Sequence, residues 1–217
     1  MAYRRTPAVQ ARLDAQAGSI VRAAMAVLSR DGYAGLSMAA VAAEAGVATG
    51  TVYKTFSGKA ELVTAVFREV VTREVAAVAA AGDSDSARLG DTPAVTDSAE
   101  GPKSARERVT AAVETFAGRA LKNPKLAYVL LAEPVDTAVD AERLRFRRAF
   151  AEIYETAIAD GVASGQLPPQ DPRTSATALV GAIGEVLVGP LAEQLESESV
   201  VPELVAFALR ALGVPQE

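Results

Sequence analysis

Residues 37–59, SMAAVAAEAGVATGTVYKTFSGK, decide how this chain is read. They place a glycine between two short helical stretches, and two helices that meet steeply through a turn of about three residues need particular residue types at particular offsets. Ser37 stands where a side-chain oxygen caps a first helix. Gly46 follows that helix at the position where the backbone turns left-handed, a conformation other residues resist. Ala42 is small enough on the inner face to let the second helix approach, and Val41, Ala45, Val47 and Val52 supply the apolar contacts between the pair and a third helix behind them. The second helix, about residues 48–55, is left with Thr49, Gly50, Thr51, Tyr53 and Lys54 on its surface. Those are hydrogen-bonding groups rather than packing groups, and they suit a helix laid in a DNA major groove.

The run VAAEAGVATGTVYKTFSGKAEL, residues 41–62, resembles the DNA-binding signature of the TetR family of bacterial one-component regulators. Gly46-Val47, Thr51-Val52-Tyr53, Phe56, Lys59 and Leu62 fall at the family's spacing, and the likeness covers about the first 70 of the 217 residues. The fold class it implies is all-α, with about nine helices: a DNA-binding domain at 8–58, its helix-turn-helix at about 37–56, then a ligand-binding and dimerisation domain at 59–217. The first turn of the leading helix and one cap position depart from the family pattern. Met38-Ala39-Ala40 replaces a more polar first turn, and Gly58 takes the place of the usual serine cap before the fourth helix.

Composition agrees with a helical chain. Half of the residues are apolar, aromatics are only 5%, and alanine is abundant, which favours closely packed helices over a sheet. The chain has no histidine, cysteine or tryptophan, so Ser-His-Asp and Cys-His catalysis, Cys/His zinc sites, disulfides and imidazole pH switches are excluded. No phosphate-binding glycine loop is present either, and we expect no catalytic residues, metal or cofactor. Residues 1–60 hold seven Lys/Arg (Arg4, Arg5, Arg12, Arg22, Arg30, Lys54 and Lys59) against Asp14, Asp31 and Glu44. That balance of +4 within a total of −5 leaves −9 for the rest, as for a DNA head on an acidic sensor body. The longest apolar run, Leu179–Ala192, is interrupted by Glu185 and reads as too short to span a bilayer; with no charged-then-apolar leader, a cytoplasmic protein without a membrane partner is expected.

Periodicity and breakers divide the chain further. A first helix at about 8–31 ends at Gly32, and a fourth runs from Lys59 to about Ala81. Residues 83–103 are rich in Asp, Ser, Gly and Pro and read as a long loop. Helices follow at about 104–122, 124–132, 135–163, 172–196 and 202–212, with Asp171-Pro172 opening the fourth of these and Pro190 expected to kink it.

Candidate DNA contacts are Ser37, Thr49, Gly50, Thr51, Tyr53, Lys54 and Lys59. Threonine hydroxyls and methyls reach base edges, Gly50 permits close backbone approach, and the resemblance makes Tyr53 and Lys59 phosphate contacts. Arg4 and Arg5 form a basic arm suited to a minor groove, or a frayed terminus. For a ligand, the candidates are Phe116, Tyr128, Leu131, Phe146, Phe150 and Tyr154, with the two tyrosines as polar anchors. The stripe Phe146, Phe150, Ile153 and Ala157 is equally the pattern of plain core, and the resemblance is what turns it toward a cavity. Arg143, Arg145, Arg147 and Arg148 read as a solvated, ion-paired face beside Glu142 and Glu152, or as an anion site. Small residues Ala176, Ala178, Gly181, Ala182 and Gly184 on the eighth helix, with an apolar ninth, point to a homodimer, as the family forms.

The expected function is a homodimeric repressor of double-stranded palindromic DNA, released by a small apolar effector. An activator or a co-repressor-dependent regulator fits the same residues. A helical ligand carrier or an enzyme without DNA binding is the reading from another class, and the missing histidines and cysteines weigh against the enzyme.

Overall fold

The computed structural model describes residues 6–82, 103–194 and 199–214. Among them it forms nine helices and no strand: α1 Pro7–Gly35, α2 Met38–Glu44, α3 Thr49–Thr55, α4 Lys59–Gly82, α5 Ala105–Lys122, α6 Pro124–Leu131, α7 Thr137–Ala163, α8 Pro172–Glu193 and α9 Val200–Ala211. Arg4, Arg5 and, apart from Lys103, the long loop lie outside the described residues.

The chain forms two compact units: Met1–Val70 with Asn123–Arg143, and Val71–Lys122 with Leu144–Glu217. The first is larger than a head of residues 8–58, since it takes in the start of α4, all of α6 and the first turns of α7. Its core runs through Ile20, Val27 and Leu28 of α1, Val41 and Ala42 of α2, Val52 of α3 and Leu62, Val66 and Phe67 of α4, and continues into Leu126, Val129 and Leu130 of α6. α6 packs on α1. The attachment is also polar, because Asn123 Nδ2 donates to Ser29 Oγ at 3.0 Å and Lys125 Nζ donates to the carbonyl of Arg30 at 2.7 Å. The far end of α6 is closed by one guanidinium: Arg143 donates to the carbonyls of Leu130, Val129 and Glu133 at 2.9, 2.9 and 2.8 Å. A cation at a helix C-terminus satisfies carbonyls that have no helical partner and meets the negative end of the helix dipole. Arg143 is therefore a cap as well as the ion-pair partner of Asp140.

Local rules fix most boundaries. Gly32, at φ 69, breaks α1 one turn before its end at Gly35. Gly46, at φ 65, closes α2: its N–H donates to the carbonyl of Ala43, and that of Val47 donates to the carbonyl of Ala42. That bond pair is the Schellman ending, which needs the left-handed residue in its middle. Ser37 accepts from the N–H of Ala40 at 3.1 Å, as expected of its cap. Gly58 brings no capping side chain to α4, and the Glu61 carboxylate instead reaches back to the N–H and hydroxyl of Ser57 at 2.7 and 2.6 Å.

In the second unit α5 packs on α8 and α9. Ser104 and Glu107 open α5 with a reciprocal capping box. Gly161 on α7 has no room for a methyl, because a Cβ there would lie 2.6 Å from that of Ala105 and 2.8 Å from Leu167. α8 opens on Asp171, which accepts from the N–H of Thr174 at 2.7 Å, and it runs only one turn past Pro190 before left-handed Gln194 ends it. The helix thus ends about one turn before the expected residue 196. One expectation needs correction. Measured as a whole helix, α8 has 22 residues and a most apolar stretch of mean hydropathy 1.5, enough in length and composition to cross a membrane. The sequence reading counted only its apolar run, whereas helix length is set by caps.

Candidate nucleic-acid interface and effector cavity

α3 is held to the first unit by Val52, which is fully buried, and by its packing on α2. Its other faces are open: Thr49, Gly50, Tyr53 and Lys54 are exposed, and Thr51 is half-buried. Successive positions on a helix turn by about 100°, so 49, 50, 53 and 54 share one side. Tyr53 is 54% exposed, unusual for a tyrosine with apolar surface to bury, and a Cβ added at Gly50 would meet nothing within 4 Å. This side offers a phenol, a hydroxyl, an ammonium and bare backbone to whatever approaches it.

Lys59 is placed differently. Its ammonium donates to the carbonyl of Tyr33 at 2.6 Å and lies 3.9 Å from the centre of the Tyr33 ring. Tyr33 is in turn held by the junction of α6 and α7: its N–H donates to Glu133 Oε2 at 3.1 Å and its hydroxyl donates to Asp136. Burial, then the bond to Asp136, pushes the phenol up to about 12. Burial lowers the Lys59 ammonium from its ordinary value, while Asp136 and Glu133 pull it upward. The sequence reading missed Tyr33, Glu133 and Asp136, because their pairing spans about a hundred residues and leaves no local trace. Ser37, spent as an acceptor on Ala40, keeps its hydroxyl proton to donate.

In the second unit, α4, α5 and α7 line a half-open cavity of about 270 Å³. Its apolar wall is Val75, Ala79, Ala112, Ala149, Ile153 and Ala157; Arg108, Glu152, Tyr154 and Thr156 are the polar contributors. Of the residues expected to meet a ligand, Tyr154 lines it. Phe116, Phe146 and Phe150 pack on one another instead, with centroids 4.8 Å apart for Phe116–Phe150 and 4.6 Å for Phe146–Phe150, an ordinary aromatic core. Tyr128 and Leu131 lie on α6 in the first unit, since the apolar face of α6 is taken up by α1. A helical stripe says that a face is buried and not against what.

Tyr154 is 2% exposed, and its hydroxyl, shut off from solvent, has no hydrogen-bond partner among the described residues. Burial raises its pKa, so the phenol stays a neutral donor. Among the described residues no group of three or more His, Cys, Asp or Glu could hold a metal ion.

Comparison with known proteins places this architecture. The sequence matches the family described as "Bacterial regulatory proteins, tetR family" over residues 20–66 and that described as "Tetracyclin repressor-like, C-terminal domain" over residues 102–187. No curated protein matches the chain. Among solved structures, a TetR transcription regulator from Haloarcula marismortui superposes with a TM-score of 0.73 at 17% identity, covering 92% of this chain and 97% of its own. The fatty acid degradation regulator FadR from Bacillus halodurans gives 0.70 at 18%, covering 95% and 96%. FadR from Bacillus subtilis, in complex with stearoyl-CoA, gives 0.71 at 17%, covering 92% and 99%. At these identities the structures speak for the fold, and the two sequence matches speak for the family. The chain is a DNA-binding transcriptional regulator of the TetR family.

Proposed function

We propose that the chain is a homodimeric repressor that leaves a palindromic operator when a small apolar ligand fills the cavity of the second unit. The observation that carries the reading is the open side of α3, where Thr49, Gly50, Tyr53 and Lys54 face outward. Thr49 and Thr51 meet base edges and thymine methyls, Gly50 admits the backbone, and Tyr53 and Lys59 take phosphate oxygens. Lys54 serves either role, and Ser37 gives its remaining proton to a phosphate.

A second copy of the chain covers α8 and α9. Only 28% of the most apolar stretch of α8 is buried within the chain, and Val186 and Phe207 are 49% and 41% exposed. Ala178, Gly181 and Gly189 are exposed on the same helix and let another helix come close. Apolar surface of this extent on a soluble protein marks an interface, and a two-fold pair matches two half-sites about one helical turn apart. The protein works in the cytoplasm, where its DNA is.

Release is a population shift. A ligand that prefers the arrangement with misaligned heads weakens operator binding by on the order of 1 to 3 kcal/mol. Gel shift with genomic fragments and excess competitor tests the whole reading: a competition-resistant band is expected, and its absence would leave a carrier. The bound stearoyl-CoA belongs to FadR from Bacillus subtilis. For this chain the effector is read from its own cavity.

A further inference from the structure

We propose that Tyr33 is a positioning residue for DNA binding: it occupies two carboxylates that would otherwise capture the Lys59 ammonium, and so keeps that ammonium available to a phosphate. The inference rests on the reading of Lys59 as a phosphate contact and names the residue that makes the contact available.

Every polar group of Tyr33, and its ring, is engaged at once, all within the first unit. Its N–H donates to Glu133 Oε2 at 3.1 Å and its hydroxyl donates to Asp136. Its carbonyl accepts from Lys59 Nζ at 2.6 Å, and the same ammonium lies 3.9 Å from the centre of its ring. The donors of Tyr33 thus take the acids, while its carbonyl and ring face take the cation. Lys59 makes no ion pair among the described residues, although burial lowers its pKa and the nearby charges of Asp136 and Glu133 raise it.

The choice of partner matters for DNA. An ammonium paired with a carboxylate must give up that partner before it can neutralise a phosphate. One held by a carbonyl and a ring face keeps its full charge and two of its three protons. Asp136 also departs from its local role. Its carbonyl accepts the first bond of α7, from the N–H of Asp140 at 3.1 Å, so it stands at the cap position, where an aspartate side chain ordinarily accepts from its own helix. Its carboxylate goes to Tyr33 instead.

Fluorescence anisotropy of the whole protein with a mixed-sequence duplex of about 30 base pairs, over a range of salt, tests this without the operator, because phosphate contacts ignore sequence. Tyr33→Phe keeps the carbonyl, the ring and every charge, and removes only the hydroxyl. It is expected to bind roughly tenfold more weakly at about 0.1 M salt, with a salt slope lower by about one unit, as if Lys59 were absent. Asp136→Asn disturbs the same bond from its other end and takes the competing charge away, so it is expected to bind no more weakly than the wild type. The double variant is expected to recover the wild-type slope. A bond with a merely structural role would give another pattern, with both single variants weakened alike and the double no better. In a Lys59→Ala background, Tyr33→Phe is expected to change nothing further.

The inference is overturned if Tyr33→Phe leaves the slope unchanged, the freed carboxylate then turning back to cap α7, or if Asp136→Asn weakens binding as much as Tyr33→Phe does. Should Lys59→Ala itself leave the slope unchanged, the phosphate contact falls and the inference with it. A lower slope in Lys59→Ala with none in Tyr33→Phe refutes the inference alone.

Discussion

Lys59 Nζ and the carbonyl oxygen of Tyr33 are 2.6 Å apart, with the ammonium 3.9 Å from the ring centre of the same tyrosine. One lysine thus joins the start of α4 to the end of α1. The bond uses one of three ammonium protons and leaves two for a phosphate. Lys59→Ala should lower the slope of log affinity against log salt by about one unit, because one phosphate contact is lost, and should also cost about 1 kcal/mol of stability for the lost bond. Tyr53→Phe should weaken binding to all DNA alike with little change in melting, since Tyr53 is 54% exposed. Denaturant titration beside salt-dependent binding separates the two; a Lys59→Ala protein of unchanged stability would show that the contact with Tyr33 does no structural work.

Tyr33 gives a pH signature. Its phenol is raised from an ordinary 10 to about 12, so the folded state holds the proton more tightly than the unfolded chain. The stabilisation is fully present below pH 10 and is lost as pH rises through about 12. Between those values the wild type should lose more stability than Tyr33→Phe, which has no proton to release. Parallel alkaline unfolding curves for the two proteins would disprove the raised phenol.

Gly46→Ala isolates backbone strain. The added Cβ would meet nothing within 4 Å, so the only penalty is the left-handed φ of 65°. That conformation costs a residue with a side chain roughly 1 to 2 kcal/mol. A loss in this range, with weakened DNA binding as the turn between α2 and α3 relaxes, is expected; a loss beyond about 3 kcal/mol would mean that packing is also disturbed.

The dimer face is best tested where the side chain is free of the chain's own core. Leu209 is half-buried, whereas Val186 and Phe207 are exposed, so Val186→Glu and Phe207→Glu should fold normally and sediment as monomers with poor operator binding. Wild-type protein that is monomeric at micromolar concentration would contradict the interface.

Ala157→Trp addresses the cavity from its tightest side, as Ala157 is 4% exposed and lines the wall. If the space accepts the ring, DNA binding persists and the effector response is blunted. If it does not, the variant is destabilised by roughly 1 to 3 kcal/mol. Thermal shift with and without effector distinguishes these outcomes.

What could be read from the residues alone was whatever local chemistry dictates. Ser37, Gly46, Asp171 and the break at Gly32 act within a few residues of themselves, and their helices fall where caps and breakers put them. The open side of α3 was legible because its polar residues repeat at helical spacing. The contents of the cavity were not. Phe146 and Phe150 have the same period whether they meet a ligand or Phe116, and Tyr128 gives no hint that α6 belongs with α1. Glu61 reaching back to Ser57 just ahead of α4 was open to sequence reasoning, since it lies four residues after it.

The first unit is assembled from two separated stretches, and this bears on how the protein is made. Translation delivers α1, α2 and α3 early, but Leu126, Val129 and Leu130 of the same core follow only after residue 122. Domains tend to fold as units during synthesis. Here the nascent reading head must wait, its apolar surface uncovered, until the chain has grown past residue 143. A nascent chain that has emerged only to residue 82 would therefore carry a sticky, unfinished head, and one that has emerged past 143 a closed one.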